Sequence, residues 1–112
     1  MKLKKETEDE IQELRISEQA LQNILLQKQA FQLEMNETET ALKEVEETKN
    51  DVYRIVGQIM LKSEKDSIKK ELEDKKKIIE IRLKAIEKQE SSVRQKAELL
   101  RSKIEEELKT SK

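Results

Sequence analysis

The chain has no histidine, no cysteine, no proline and no tryptophan, and only one glycine, one tyrosine and one phenylalanine among its 112 residues. Without histidine or cysteine, the commonest general base, the commonest metal ligand and the thiolate nucleophile are all missing, and disulfides cannot form. A single glycine excludes a glycine-rich phosphate loop. With 2% aromatic and 34% hydrophobic residues, there is too little apolar volume for a globular core of this length. No apolar run approaches the eighteen or so residues of a membrane span. The opening Met1-Lys2-Leu3-Lys4-Lys5 runs into acids where a signal peptide needs an apolar stretch. The expectation is a soluble, cytoplasmic chain that is not an enzyme, holds no cofactor or metal and does not enter a membrane.

What the chain has instead is charge, 44% of its residues, with 24 basic against 25 acidic side chains interspersed along it. No large positive field results, so nucleic acid is not an expected partner. High charge with few aromatics also marks unfolded chains. Sustained heptad periodicity argues for long helices and coiled coil instead.

One central stretch differs from everything around it: Val52-Tyr53-Arg54-Ile55-Val56-Gly57-Gln58-Ile59-Met60-Leu61-Lys62. It holds the only glycine and tyrosine and mixes β-branched and aromatic residues, which favour a pleated backbone. It reads as a β-hairpin over about 52–63, turning near Gly57-Gln58, where glycine reaches positive φ without steric cost. Two strands alone are marginal in water and leave open edges, so Val52, Tyr53, Ile55, Val56, Gly57, Ile59 and Leu61 are expected to form an assembly element.

Both flanks are helical. Thr7-x-x-Glu10 has the form of a capping box, so helix one is expected to begin there or slightly earlier, over about 6–49. Its seam, at alternating spacings of three and four, reads Leu14, Ser17, Leu21, Ile24, Lys28, Phe31, Met35, Thr38, Leu42, Val45. Glu46-Glu47-Thr48-Lys49-Asn50-Asp51 then offers no seam residue, and Asn and Asp can end a helix. Ser63-x-x-Asp66 is a second cap signal before helix two, about 64–110. Its seam reads Leu72, Lys76, Ile79, Leu83, Ile86, Glu90, Val93, Ala97, Leu100, Ile104. The exposed faces carry acid-before-base pairs four apart, Glu71/Lys75, Glu73/Lys77, Glu80/Lys84 and Glu90/Arg94, each worth a few tenths of a kcal/mol. Each helix spans roughly 40 residues, or about 60 Å at ~1.5 Å per residue.

Matched lengths suggest an antiparallel pair. The two seams match when partner numbers add to 114, giving Leu14/Leu100, Ser17/Ala97, Leu21/Val93, Phe31/Leu83, Met35/Ile79 and Leu42/Leu72. Here Lys28 and Glu90 lie one turn apart and are expected to pair, and Thr38 faces Lys76. Polar seam residues of this kind specify register.

Leu25-Leu26-Gln27-Lys28-Gln29, the Tyr-x-x-Val-Gly hairpin and Glu80-Ile81-Arg82-Leu83-Lys84-Ala85-Ile86-Glu87-Lys88-Gln89-Glu90 together resemble the prefoldin family, specifically its beta-type subunits as found in archaea. The resemblance covers nearly the whole chain as one domain, residues 1–112. The chain departs from the family pattern in having Thr48-Lys49-Asn50-Asp51 where a Pro-Asp step before the first strand is usual, and Gln58 where a proline often follows the glycine. The single hairpin looks like the beta type.

The resemblance implies a long antiparallel two-helix coiled coil whose hairpin joins an oligomeric β-barrel, in a hexamer of two alpha and four beta subunits. It implies an ATP-independent chaperone that holds unfolded polypeptides at its distal coiled-coil tips and passes them to a group II chaperonin. In this chain the tips are the termini, with Leu3, Ile11, Leu14, Ile16, Leu99, Leu100, Ile104 and Leu108 as apolar candidates for client contact or coiled-coil core. The competing classes are a coiled-coil spacer or adaptor, in which an inserted hairpin is out of place, and a helical arm binding tRNA or the ribosome, which needs a basic stripe that is missing.

Overall fold

The computed structural model describes residues 4–110. In chain order these form helix α1 (Lys5–Glu47), strand β1 (Val52–Val56), strand β2 (Ile59–Ser63) and helix α2 (Lys65–Thr110). The strands pair antiparallel, Val52 with Ser63 through Val56 with Ile59. Gly57 turns the hairpin at φ 61°, and a Cβ there meets nothing within 4 Å. Glycine is therefore required by backbone conformation and not by space.

Both cap readings are corrected. Glu8 N–H donates to the Lys4 carbonyl at 3.0 Å, so the first turn of α1 opens at Lys5 and Thr7 lies inside the helix. Thr7 is 2% exposed, and its hydroxyl donates to the Glu107 carboxylate. Ile68 N–H donates to the Glu64 carbonyl at 3.1 Å, while the Ser63 hydroxyl donates back to the Leu61 carbonyl at 3.3 Å. Ser63 is the last residue of β2 and does not cap α2.

At its other end α1 stops at Glu47, where Asn50 N–H donates to Thr48 Oγ1 at 3.2 Å and turns the chain. The last carbonyls of a helix lack partners. Here Lys65, the first residue of α2, donates its ammonium to the Glu46 and Thr48 carbonyls at 3.3 and 3.0 Å. No basic residue lies in the last turn of α1 itself, so the favourable cation at that end comes from the next helix.

The chain divides into two compact units, Met1–Lys28 with Ala85–Lys112, and Gln29–Lys84, called here the terminal unit and the hairpin unit. In the terminal unit the helices meet through Thr7, Glu10, Leu14, Ser17, Leu21, Ile24 and Lys28 of α1 and Ile86, Glu90, Val93, Ala97, Leu100, Ile104 and Glu107 of α2, all buried or half-buried. In the hairpin unit Phe31, Met35, Thr38, Leu42 and Val45 meet Leu72, Lys76, Ile79 and Leu83. Ile79, 1% exposed, is the most enclosed large side chain. All twenty seam positions read from the sequence fall on the covered face of their helix.

The register is carried by named contacts. Thr7 and Glu107 are partners whose numbers add to the expected 114. Lys28 donates to Glu90 at 3.1 Å, one turn off that layer, as expected. Thr38, facing Lys76 in the expected register, is buried and turns its hydroxyl to the Glu34 carbonyl at 2.8 Å, so no unpaired polar atom is left in that layer.

Candidate assembly and client surfaces

In the hairpin, side chains alternate between faces. Tyr53, Ile55, Met60 and Lys62 share one face, and Val52, Arg54, Val56, Ile59, Leu61 and Ser63 share the other. The second face is anchored near the strand ends, where Arg54 pairs with Glu71 of α2 and Val52 and Ser63 are half-buried. Toward the turn nothing covers either face. Ile55 is 70% exposed, and Tyr53, Val56, Ile59, Met60 and Leu61 are at least half exposed. The sheet has two strands among the described residues, so both edges keep unpaired N–H and C=O groups. Six large apolar groups around an unprotected two-stranded ribbon make an element that water does not suit. Met60, absent from the sequence-derived set, belongs to it by alternation with Ile55, its register partner.

The apolar residues proposed for the helix ends separate into two kinds. Ile104 is buried at 7% and belongs to the seam, with Ile11, Leu14 and Leu100 half-buried beside it. It is therefore not a surface group. Ile16, Leu99 and Leu108 are exposed, Leu99 at 73%. Leu3 lies outside the described residues. The heptad itself sorts these residues, since Leu14, Leu100 and Ile104 are seam positions and Ile16 and Leu99 are not.

Charge around the helix ends is partly organised. Lys103 lies 3.3 Å from Glu10 and 3.6 Å from Glu6, and the Glu10 contact holds the Lys103 ammonium above the usual lysine range. Arg101 lies 3.7 Å from Glu18. Nearer the middle of the chain, the hydrogen bond from Lys28 holds the Glu90 carboxyl below the usual carboxylate range, with Arg94 adding a second donor at 3.2 Å. Of the expected pairs along α2, Glu90/Arg94 forms, whereas Lys75 reaches Glu34 across the helices and Glu71 takes Arg54. Among the described residues no cluster of three metal-ligating side chains occurs, and no helix is long and apolar enough to cross a membrane.

The sequence matches the prefoldin subunit family over residues 4–111. The chain belongs to the prefoldin family. Its fold is similar to the crystal structure of the prefoldin beta subunit from Thermococcus strain KS-1, at 33% identity and a TM-score of 0.88, covering 94% of each chain. Comparison with curated proteins gives no match. Prefoldin subunits are chaperone components that form hetero-oligomers, and the family is not one of enzymes. Two long helices joined by a central β-hairpin are the prefoldin fold, and the coiled coil expected from the heptads is its main element.

Proposed function

We propose that this prefoldin chain is a beta-type subunit whose residues 1–112 act as one domain in a hexamer of two alpha-type and four beta-type subunits in the cytoplasm. Its hairpin joins those of neighbouring subunits. The assembled particle holds unfolded polypeptides without ATP at the helix ends that carry the termini and delivers them to a group II chaperonin. The observation that carries the reading is the hairpin, with open edges and Ile55, Met60 and Ile59 all more than 60% exposed. Pairing with other strands would satisfy both at once. At the helix ends, exposed Ile16, Leu99 and Leu108 supply apolar contacts that need no fixed client sequence. Half-buried Ile11, Leu14 and Leu100, and Leu3, which lies outside the described residues, complete the proposed set, whereas Ile104 is held in the seam.

The test is assembly followed by holding. The wild-type chain mixed with an alpha-type subunit is expected to form a defined complex and to suppress aggregation of a chemically denatured protein without nucleotide. Ile55→Asp is expected to abolish the complex in light scattering while leaving helicity unchanged, because a carboxylate enclosed between sheets without a partner costs several kcal/mol. An Ile55→Asp chain that assembles like wild type removes the hairpin as the assembly element.

A further inference from the structure

The longest uncharged run in this heavily charged chain lies in α1, between Glu18 and Lys28: Gln19, Ala20, Leu21, Gln22, Asn23, Ile24, Leu25, Leu26, Gln27. Leu21 and Ile24 turn into the seam, and Lys28, which ends the run, is drawn to Glu90. Gln19, Gln22, Asn23, Leu25, Leu26 and Gln27 remain outside, all exposed, Leu26 at 64%. This stretch of α1 thus presents two leucines and four carboxamides to water. It presents no charge.

An unfolded polypeptide brings apolar side chains together with unpaired backbone N–H and C=O groups. Docking it on a charged surface strips water from ions, which is costly unless each finds a partner. Leu108, for comparison, is set among Glu105, Glu106, Glu107 and Lys109. On the α1 face only amides lose water. Each carboxamide carries a donor and an acceptor, so it can satisfy either backbone group whatever the client sequence. The charge character selects an uncharged occupant, and the size of the face selects a transient one. Nine residues of one helix span only about 14 Å at ~1.5 Å each. Such a strip falls well short of the roughly 800 Å² that each partner contributes to a stable interface, as a permanent contact with a second copy would need.

We propose that the uncharged outer face of α1 between Gln19 and Gln27 is a docking strip for uncharged, extended segments of unfolded polypeptide. This rests on the chaperone reading above and adds to it a client surface distinct from the apolar groups at the helix ends.

The test is Gln22→Glu with Leu26→Lys in the full chain, assembled with its alpha-type partner. The pair keeps the net charge and places acid four residues before base, which favours the helix, so a loss of holding is not a loss of folding. Circular dichroism and complex size should be unchanged. Half-suppression of aggregation should need about tenfold more of the variant complex, the scale set by losing one leucine contact. A matched pair on α2, Gln95→Glu with Leu99→Lys, measures the helix-end contribution separately. An inert wild type would overturn the chaperone reading and the strip with it. An active wild type with an equally active strip variant overturns the strip alone. Self-association of wild type that the strip variant abolishes would identify a second copy as the occupant and overturn it as well.

Discussion

The two units use the same helix-pairing geometry with different materials. In the hairpin unit the seam positions include Phe31, Met35, Leu42, Val45, Leu72, Ile79 and Leu83, with Thr38, Lys69 and Lys76 as the polar exceptions and Glu34 half-buried beside them. In the terminal unit Thr7, Glu10, Ser17, Lys28, Glu90 and Glu107 occupy seam positions among the apolar ones. Burial of apolar area drives the pairing of helices, and polar groups at such positions give up part of that gain in exchange for fixing alignment. Ser17 against Ala97 forms a layer of two small residues, both nearly sealed from water. Cohesion is therefore concentrated near the hairpin, while the terminal unit carries more of the information about register.

The largest effect expected from this difference is at Ile79. Its side chain is enclosed by the hairpin-unit seam, and Ile79→Ala should cost about 2–5 kcal/mol in unfolding free energy. Ile104→Ala removes the same atoms from a layer bordered by Glu10 and Glu107, near the end of α2, where the surroundings can collapse and the ends fray. It should fall at or below the lower limit of that range. Thermal unfolding followed by circular dichroism on both variants decides the matter. Equal losses, or a larger loss at Ile104, would break the distinction between the units.

Much of this was legible in the sequence because heptads are a local record of a non-local contact. Ile24, Met35, Ile79 and Ile86 announce their burial by spacing alone, and the common sum of 114 brings Lys28 beside Glu90 across 62 positions. The hairpin was legible because the only glycine in the chain, Gly57, sits at its turn with positive φ. Thr7 misled because Thr-x-x-Glu is a cap signal and a seam fragment at once. Stepping the seam back seven residues from Leu14 and Ser17 lands on Thr7 and Glu10, which is where the structure buries them. Lys65 as the cation on the end of α1 was not legible, since it depends on how the hairpin returns the chain. The uncharged face of α1 is present in the sequence, but its residues follow no sustained periodicity of the kind that marks the apolar seam.

A smaller effect is expected at the polar layer nearest the ends of the helices. Replacing Thr7 and Glu107 together by leucine turns the last polar layer of the terminal unit into an apolar one. Exchanging a paired polar contact for packed apolar groups is often neutral or stabilising. Removing both partners avoids leaving either unsatisfied. The gain expected is about 1–2 kcal/mol in local opening free energy, from newly covered leucine area. It should be read by native-state hydrogen exchange as slower exchange in the first turns of α1 and the last turns of α2. Unchanged protection there would mean that the polar layer is not what limits the cohesion of the terminal unit.

The smallest effect concerns Lys28 and Glu90, the ion pair that most directly reports register. Lys28→Glu alone sets two carboxylates together beside the seam and should lower the melting temperature, and adding Glu90→Lys should recover part of that loss. Strict additivity would count against the pairing. The pH dependence has a definite sign. Lys28, and after it Arg94, depress the folded-state pKa of Glu90 below its unfolded value. The stabilisation is therefore present above the unfolded carboxylate pKa, about 4.3, and is lost as pH falls through the lower folded value. Glu90→Gln should melt below wild type at neutral pH, and the gap should close as both are acidified below about pH 4, where the carboxylate takes up a proton. Salt should narrow the gap only modestly at neutral pH, because both side chains are partly covered by the helices, whereas the exposed Arg101–Glu18 contact should be screened more readily. A gap that stays constant on acidification would assign the loss in Glu90→Gln to packing and leave the register to the apolar layers alone.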